Sequence, residues 1–155
     1  MDIVVNASPL ILLGKIGRLH LLNKIYGTVY IPSAVLQEIQ EVGKTKIDLT
    51  QVNFKQLEVA NKIAVLGLLG RLHVGEVEVM VGAVEKGIKR VVLDETTARN
   101  KAKQLGLDVI GTLGILLEAR KMGLVDDLPQ ELVNLKSAGM YLSDGLLTKI
   151  LSENT

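Results

Sequence analysis

Four polar residues occupy positions where a side chain would be expected to contribute to the core or close a strand. They are Asn6, Glu38, Glu76 and Asp94. Asn6 follows the short β-branched run Ile-Val-Val at residues 3–5, and Asp94 closes Arg-Val-Val-Leu at 90–93. Strands of parallel sheets present ligands at their carboxyl ends, so polar residues there are the first candidates for chemistry. Glu38 falls inside the apolar stripe Val35, Ile39 and Val42, where a solvated glutamate has no reason to be. Glu76 extends the stripe Val77, Met80, Val81 and Val84 toward the helix start. Three carboxylates projecting from such positions repel one another unless protons or a cation relieve them, which points to a site for a hard divalent ion. Each acid also has a plain alternative: Asp94 capping the following helix, and Glu76 facing the positive end of its own helix.

The elements that must position these residues alternate. A strand at 3–6 leads to a helix opened by Ser8-Pro9 and running to about Leu22. A strand at Tyr26–Ile31 precedes a helix capped by Ser33 and ended by Gly43, and Gln56–Ala60 is a further strand candidate followed by a small helix at Ile63–Leu69. A helix over Val74–Lys86 stops at Gly87, and Arg90–Asp94 has the continuous apolar character of a strand buried on both faces. A helix at Thr96–Leu105, a strand at Asp108–Ile110 and a helix at Thr112–Met122 complete the pattern, with Gly106 and Gly123 as helix stops. Two helical segments, Asp127–Ala138 and Asp144–Leu151, make a tail over 125–155, the second carrying the stripe Leu146, Leu147, Ile150 and Leu151. The expectation is one α/β domain over 1–155, a three-layer α/β/α sandwich with a short parallel sheet.

Composition narrows the chemistry. The chain has 155 residues, 48% of them hydrophobic, so a real core is available and wholesale disorder is excluded. With no Cys and two His, His20 and His73, thiolate or imidazole metal sites are ruled out or disfavoured, leaving oxygen ligands. A net charge of +1 argues against a protein that coats nucleic acid indiscriminately. The segment MDIVVNASPLILLGK lacks the basic leader of a signal peptide, and no apolar run could cross a bilayer, so a cytoplasmic protein is expected. Gly67, Gly70 and Gly75 match neither phosphate-binding glycine pattern. Arg99, Lys101 and Lys103 follow Asp94 on one helix; such a run is usually a solvated face, but Arg99 beside a metal would be placed to grip a phosphate.

The ordered set IVVNASPLILLGKIGRLHLL, VYIPSAVLQEI, HVGEVEVM, RVVLDETTARNKA and DVIGTLGILLEARKMGLV, closing on LKSAGMYLSDGLLTKIL, resembles a PIN-domain protein of the VapC-like toxin type across essentially the whole chain. The resemblance implies an RNA-cutting acidic site holding Mg²⁺ or Mn²⁺, carried here by Asn6, Glu38, Glu76 and Asp94. It further implies Ser8 and Thr112 as hydroxyl neighbours and Glu95 as an outer acid. Its partners would be RNA, a small antitoxin and a second copy of the chain; the apolar tail, with Met140, Tyr141 and Leu142, suits such a surface or completes the core. The departure is Asn6, where the family pattern has Asp. An amide oxygen still ligates a cation, but one negative charge is lost. Asp2 cannot replace it, lying about 13 Å back along the strand; Glu95 and Glu41 are the other acids to consider. A PIN fold that binds RNA or protein without cleaving is therefore the rival reading. A phospho-acceptor receiver domain shares the layering, but Asn6-Ala7 and Gly111-Thr112 supply neither its paired acids nor its lysine.

Overall fold

The computed structural model describes residues 1–41 and 46–154. Five short strands, β1 (Ile3–Val5), β2 (Val29–Pro32), β3 (Phe54–Leu57), β4 (Arg90–Val92) and β5 (Asp108–Ile110), form one parallel sheet in the order β3-β2-β1-β4-β5. The first three strands step outward on one side of β1, and the chain then returns to start β4 on the other side, with Val5 opposite Val92. That reversal opens a crevice between the carboxyl ends of β1 and β4, where doubly wound sheets place their ligands.

Nine helices lie among the described residues: α1 (Ala7–Lys15), α2 (Leu21–Ile25), α3 (Ser33–Gln40), α4 (Lys62–Leu68), α5 (Val74–Lys86), α6 (Thr96–Gln104), α7 (Thr112–Lys121), α8 (Leu128–Ser137) and α9 (Asp144–Glu153). Helix α5 packs on β1, β2 and β4 and is flanked by α3, α4 and α6; α1, α2 and α8 gather on α7. The result is the three-layer α/β/α arrangement that the alternation of apolar segments implied. Val91, Val92 and Leu93 are all fully buried, as a central parallel strand requires.

Several boundaries differ from the sequence expectation for identifiable reasons. The first helix does not reach Leu22: Gly17 turns to φ +72° and splits it into α1 and α2. It also begins at Ala7, so Asn6 rather than Ser8 is its cap residue, and Ser33 is likewise inside α3, with Pro32 before it. Strand β2 runs to Pro32, which pairs with Leu57, and β3 begins two residues earlier than expected, at Phe54. The predicted stripe of α5 places Val84 in the core, yet Val84 is 55% exposed. Every residue from Gly75 to Ala83 is buried instead, because the first turns of α5 are covered by the sheet and by helices on both flanks. In α9 only Ile150 of the four stripe residues is buried. The expected stop at Gly43, and Val42 of the α3 stripe, lie outside the described residues.

Candidate active site

Asp94 leaves β4 one residue beyond Leu93, whose N–H still bonds Ile110 O. Its side chain is not the cap of α6; Glu95 takes that role by accepting the Ala98 N–H at 2.8 Å. Asp94 instead reaches the start of α7. Oδ1 accepts the Thr112 N–H at 2.7 Å and Oδ2 accepts the Thr112 hydroxyl at 2.7 Å, with the Ser8 hydroxyl at 3.2 Å. The carboxylate thus satisfies one of the orphan donors of a helix N-terminus and is fixed in rotation by two independent bonds. Gly111 makes this approach feasible: a Cβ there would stand 2.9 Å from both Asp94 Oδ1 and Arg99 Nη1.

Asn6, at the neighbouring strand end, differs. Its N–H bonds Val92 O, continuing the β1–β4 ladder, and its side chain makes no cap bond to α1. Its Oδ1 is buried and has no hydrogen-bond partner among the described residues. A buried, unpaired carbonyl oxygen is costly and calls for an explanation. A Cβ added to Gly75 would lie 3.2 Å from Glu38 Oε2 and 3.6 Å from Asn6 Oδ1, so the two oxygens converge on one small space over the first turn of α5. Glycine at 75 keeps that space open. Glu78, buried on α5, accepts the Ala34 N–H at 3.0 Å and so fixes the start of α3, the helix that carries Glu38.

Glu38 and Asp94 line a single cleft of about 700 Å³, shared with Ser8, Lys15 and the loop that follows α8. Glu76 is 5% exposed, and its Oε1 accepts the His73 N–H at 3.0 Å, so it fills the helix-start role weighed for it. Glu95 is exposed and faces its own helix; its backbone hydrogen bonds from Ala98 and Thr97 hold its carboxyl below the usual glutamate range. Arg99 directs Nη1 to Leu93 O at 2.8 Å, beside Asp94. Asp2 is at the other end of β1, accepting the Thr28 N–H, and Glu41 is exposed at the end of α3.

All the converging atoms are oxygens from carboxylates, an amide and hydroxyls, the donor set a hard divalent cation takes. No group of three or more His, Cys, Asp or Glu side chains among the described residues is gathered as a metal site. Glu38, Glu76 and Asp94 therefore do not make a cage by themselves; the unpaired oxygen of Asn6 lies beside Glu38 Oε2 over Gly75. Sequence reasoning missed the parts that shape this space: Gly75, Gly111 and Glu78. Gly75 and Glu78 flank Glu76 in the segment Val-Gly-Glu-Val-Glu, a glycine and a second acid inside an apolar helix, and that anomaly was the available signal.

A family model described as a PIN domain matches residues 2–155. The chain belongs to the PIN-domain family, whose members are generally nucleases that depend on divalent metal ions. A search of curated proteins found no match. No helix among the described residues is long and apolar enough to cross a membrane.

Proposed function

We propose that this chain is a metal-dependent endoribonuclease acting in the cytoplasm as the toxin of a toxin–antitoxin pair, with a small antitoxin and a second copy of itself as protein partners. The observation that carries the nuclease reading is the buried, unpaired Asn6 Oδ1 aimed with Glu38 Oε2 at the space above Gly75, at the sheet's switch point. Asn6, Glu38, Glu76 and Asp94 would hold Mg²⁺ or Mn²⁺. Bound by these residues, such an ion would supply charge to polarise a phosphate oxygen and would lower the pKa of water. The chain's own residues do the positioning. Thr112 and Ser8 hold Asp94 in one rotamer, so its carboxylate is preorganised and needs no reorientation when substrate arrives. Asn6 orients without adding charge. Glu76 has Oε1 committed to His73 and contributes its second oxygen. Arg99, steered by Leu93 O to the flank of Asp94, contacts a phosphate with its remaining donors. Glu95 acts from outside, on the helix start that carries Arg99.

Two features favour a second reading, a PIN fold that binds RNA or protein without cleaving: the amide at position 6, and the lack of a three-acid cluster among the described residues. The experiment that separates them is cleavage of a mixed RNA pool with Mn²⁺ by three proteins: the chain itself, Asn6→Asp, and Asn6→Asp combined with Asp94→Asn. Cutting by the first two and silence from the third is the result expected of a nuclease. Cutting by Asn6→Asp alone means a nuclease pocket disabled at one ligand. Silence from all three, with no heat of Mn²⁺ binding at millimolar metal, would make the chain a binding module.

A further inference from the structure

The residue that the site leaves unused is Tyr141. At 86% exposure it is the most solvent-exposed large apolar residue described, and it lines the same cleft as Glu38 and Asp94. Its backbone is pinned on both sides. Gly139 turns to φ +114°, the Met140 N–H bonds Leu135 O at 3.1 Å, Leu142 is 2% exposed in the core, and Ser143 caps α9 by accepting the Leu146 N–H. A rigid loop therefore projects one aromatic ring into solvent between two anchors. Lys15, exposed on α1, lines the same cleft and donates to Ala138 O at 3.2 Å, which ties α1 to that loop and sets an ammonium group on the same rim. A single exposed aromatic needs no explanation by itself. A ring carried on an anchored loop and a cation, both lining one cleft with the Glu38 and Asp94 carboxylates, match a strand of alternating bases and phosphates.

We infer that Tyr141 is a nucleobase-stacking platform and Lys15 its phosphate contact, together gripping single-stranded nucleic acid beside Asp94. Aromatic–base stacking tolerates any sequence because every base has a π-face, and its loss weakens binding by about fivefold or more per base. This rests on the nuclease reading for its choice of ligand, but the grip itself needs no metal.

The test is binding of a fluorescently labelled short RNA of mixed sequence to the full chain in EDTA, with an abasic strand of equal length as control. Tyr141→Ala is expected to lose about fivefold or more in affinity for the RNA and to leave the abasic strand unchanged, while Tyr141→Phe retains the RNA affinity. The chain has no Trp, so tyrosine emission is a second readout: RNA should quench it in the parent chain and much less in Tyr141→Phe. Equal RNA affinities for the parent and Tyr141→Ala would overturn the inference while leaving the nuclease reading intact. If Tyr141→Ala changes sedimentation but not RNA affinity, the ring belongs to self-association and the inference fails. A parent chain that binds no RNA in EDTA overturns the inference, and the cleavage assay in Mn²⁺ then decides the nuclease reading separately.

Discussion

The two adjacent strand ends of this sheet are built to opposite standards. At the end of β4, Asp94 has three hydrogen bonds, two of them from Thr112, which is fully buried. At the end of β1, Asn6 is more deeply buried than Asp94 and has an oxygen with no partner among the described residues. The first is a finished structural joint that also faces the cleft; the second is left unfinished by the protein alone. A buried donor or acceptor without a partner costs about 1–3 kcal/mol, so its retention points to a partner from outside the chain. One strand end is closed by donors of the chain itself, while the other leaves a buried oxygen beside Glu38 open to a ligand.

The change expected to act most strongly removes the difference. Asn6→Asp should tighten Mn²⁺ by about tenfold or more, seen by calorimetry, with RNA cleavage rising in step. Without metal the same variant should be less stable, because the new carboxylate is buried and faces Glu38. Both effects raise its pKa above the unfolded value. Its folded form then binds more protons than the unfolded chain, so stability is retained in acid and lost as pH rises through the raised pKa. Urea midpoints falling between about pH 4 and pH 8, and restored by Mn²⁺, are the expected signature; a flat profile would break the link between Asn6 and the cation.

The next effect tests the joint itself. Asp94→Ala strips acceptors from a buried N–H and a buried hydroxyl and should cost about 3 kcal/mol in urea unfolding. Asn6→Ala should cost about 1 kcal/mol or less, since no hydrogen bond or helix cap is lost and an unsatisfied oxygen is removed. Equal costs would erase the contrast between the two strand ends.

That contrast was only half legible in the sequence. The run Arg-Val-Val-Leu-Asp announced both a doubly buried strand and the place of Asp94, since composition and period agree there. Local capping rules offered α6 as an equal alternative for Asp94, whereas the structure gives that cap to Glu95 and turns Asp94 to Thr112, 18 residues away in the chain. Such a partner is set by how β4 and β5 lie side by side, which no local pattern encodes. Ser8-Pro9 signalled the first helix correctly but not its length, because a conformation at Gly17 ended it. The oddity of Glu38 was visible from periodicity; the two oxygens that meet over Gly75 come from α3 and from the end of β1, and only packing brings them together.

A smaller effect sharpens the open corner without altering charge. Gly75→Ala gains helix propensity of about 0.5–1 kcal/mol but crowds Glu38 Oε2 at 3.2 Å, so net stability should stay within about 0.5 kcal/mol. The methyl group occupies the space between Glu38 and Asn6, so calorimetry should show Mn²⁺ affinity falling by about tenfold. Unchanged affinity would mean that the cation is held elsewhere in the cleft.

The smallest effect belongs to the acid that stands next to Asp94 and faces away. Glu95 is held below the usual glutamate range chiefly by the Ala98 N–H and then by Thr97. A depressed folded pKa contributes stability that is present above the unfolded value and disappears as pH falls through the folded one. Glu95→Gln keeps a capping oxygen and loses the charge, so at neutral pH it should cost only about 0.5 kcal/mol for this exposed position. The gap between parent and variant should close as the pH drops below the ordinary glutamate pKa. A loss of Mn²⁺ affinity matching that of Gly75→Ala would instead move Glu95 into the metal site and give the β4 end a ligand that its present hydrogen bonds assign to α6.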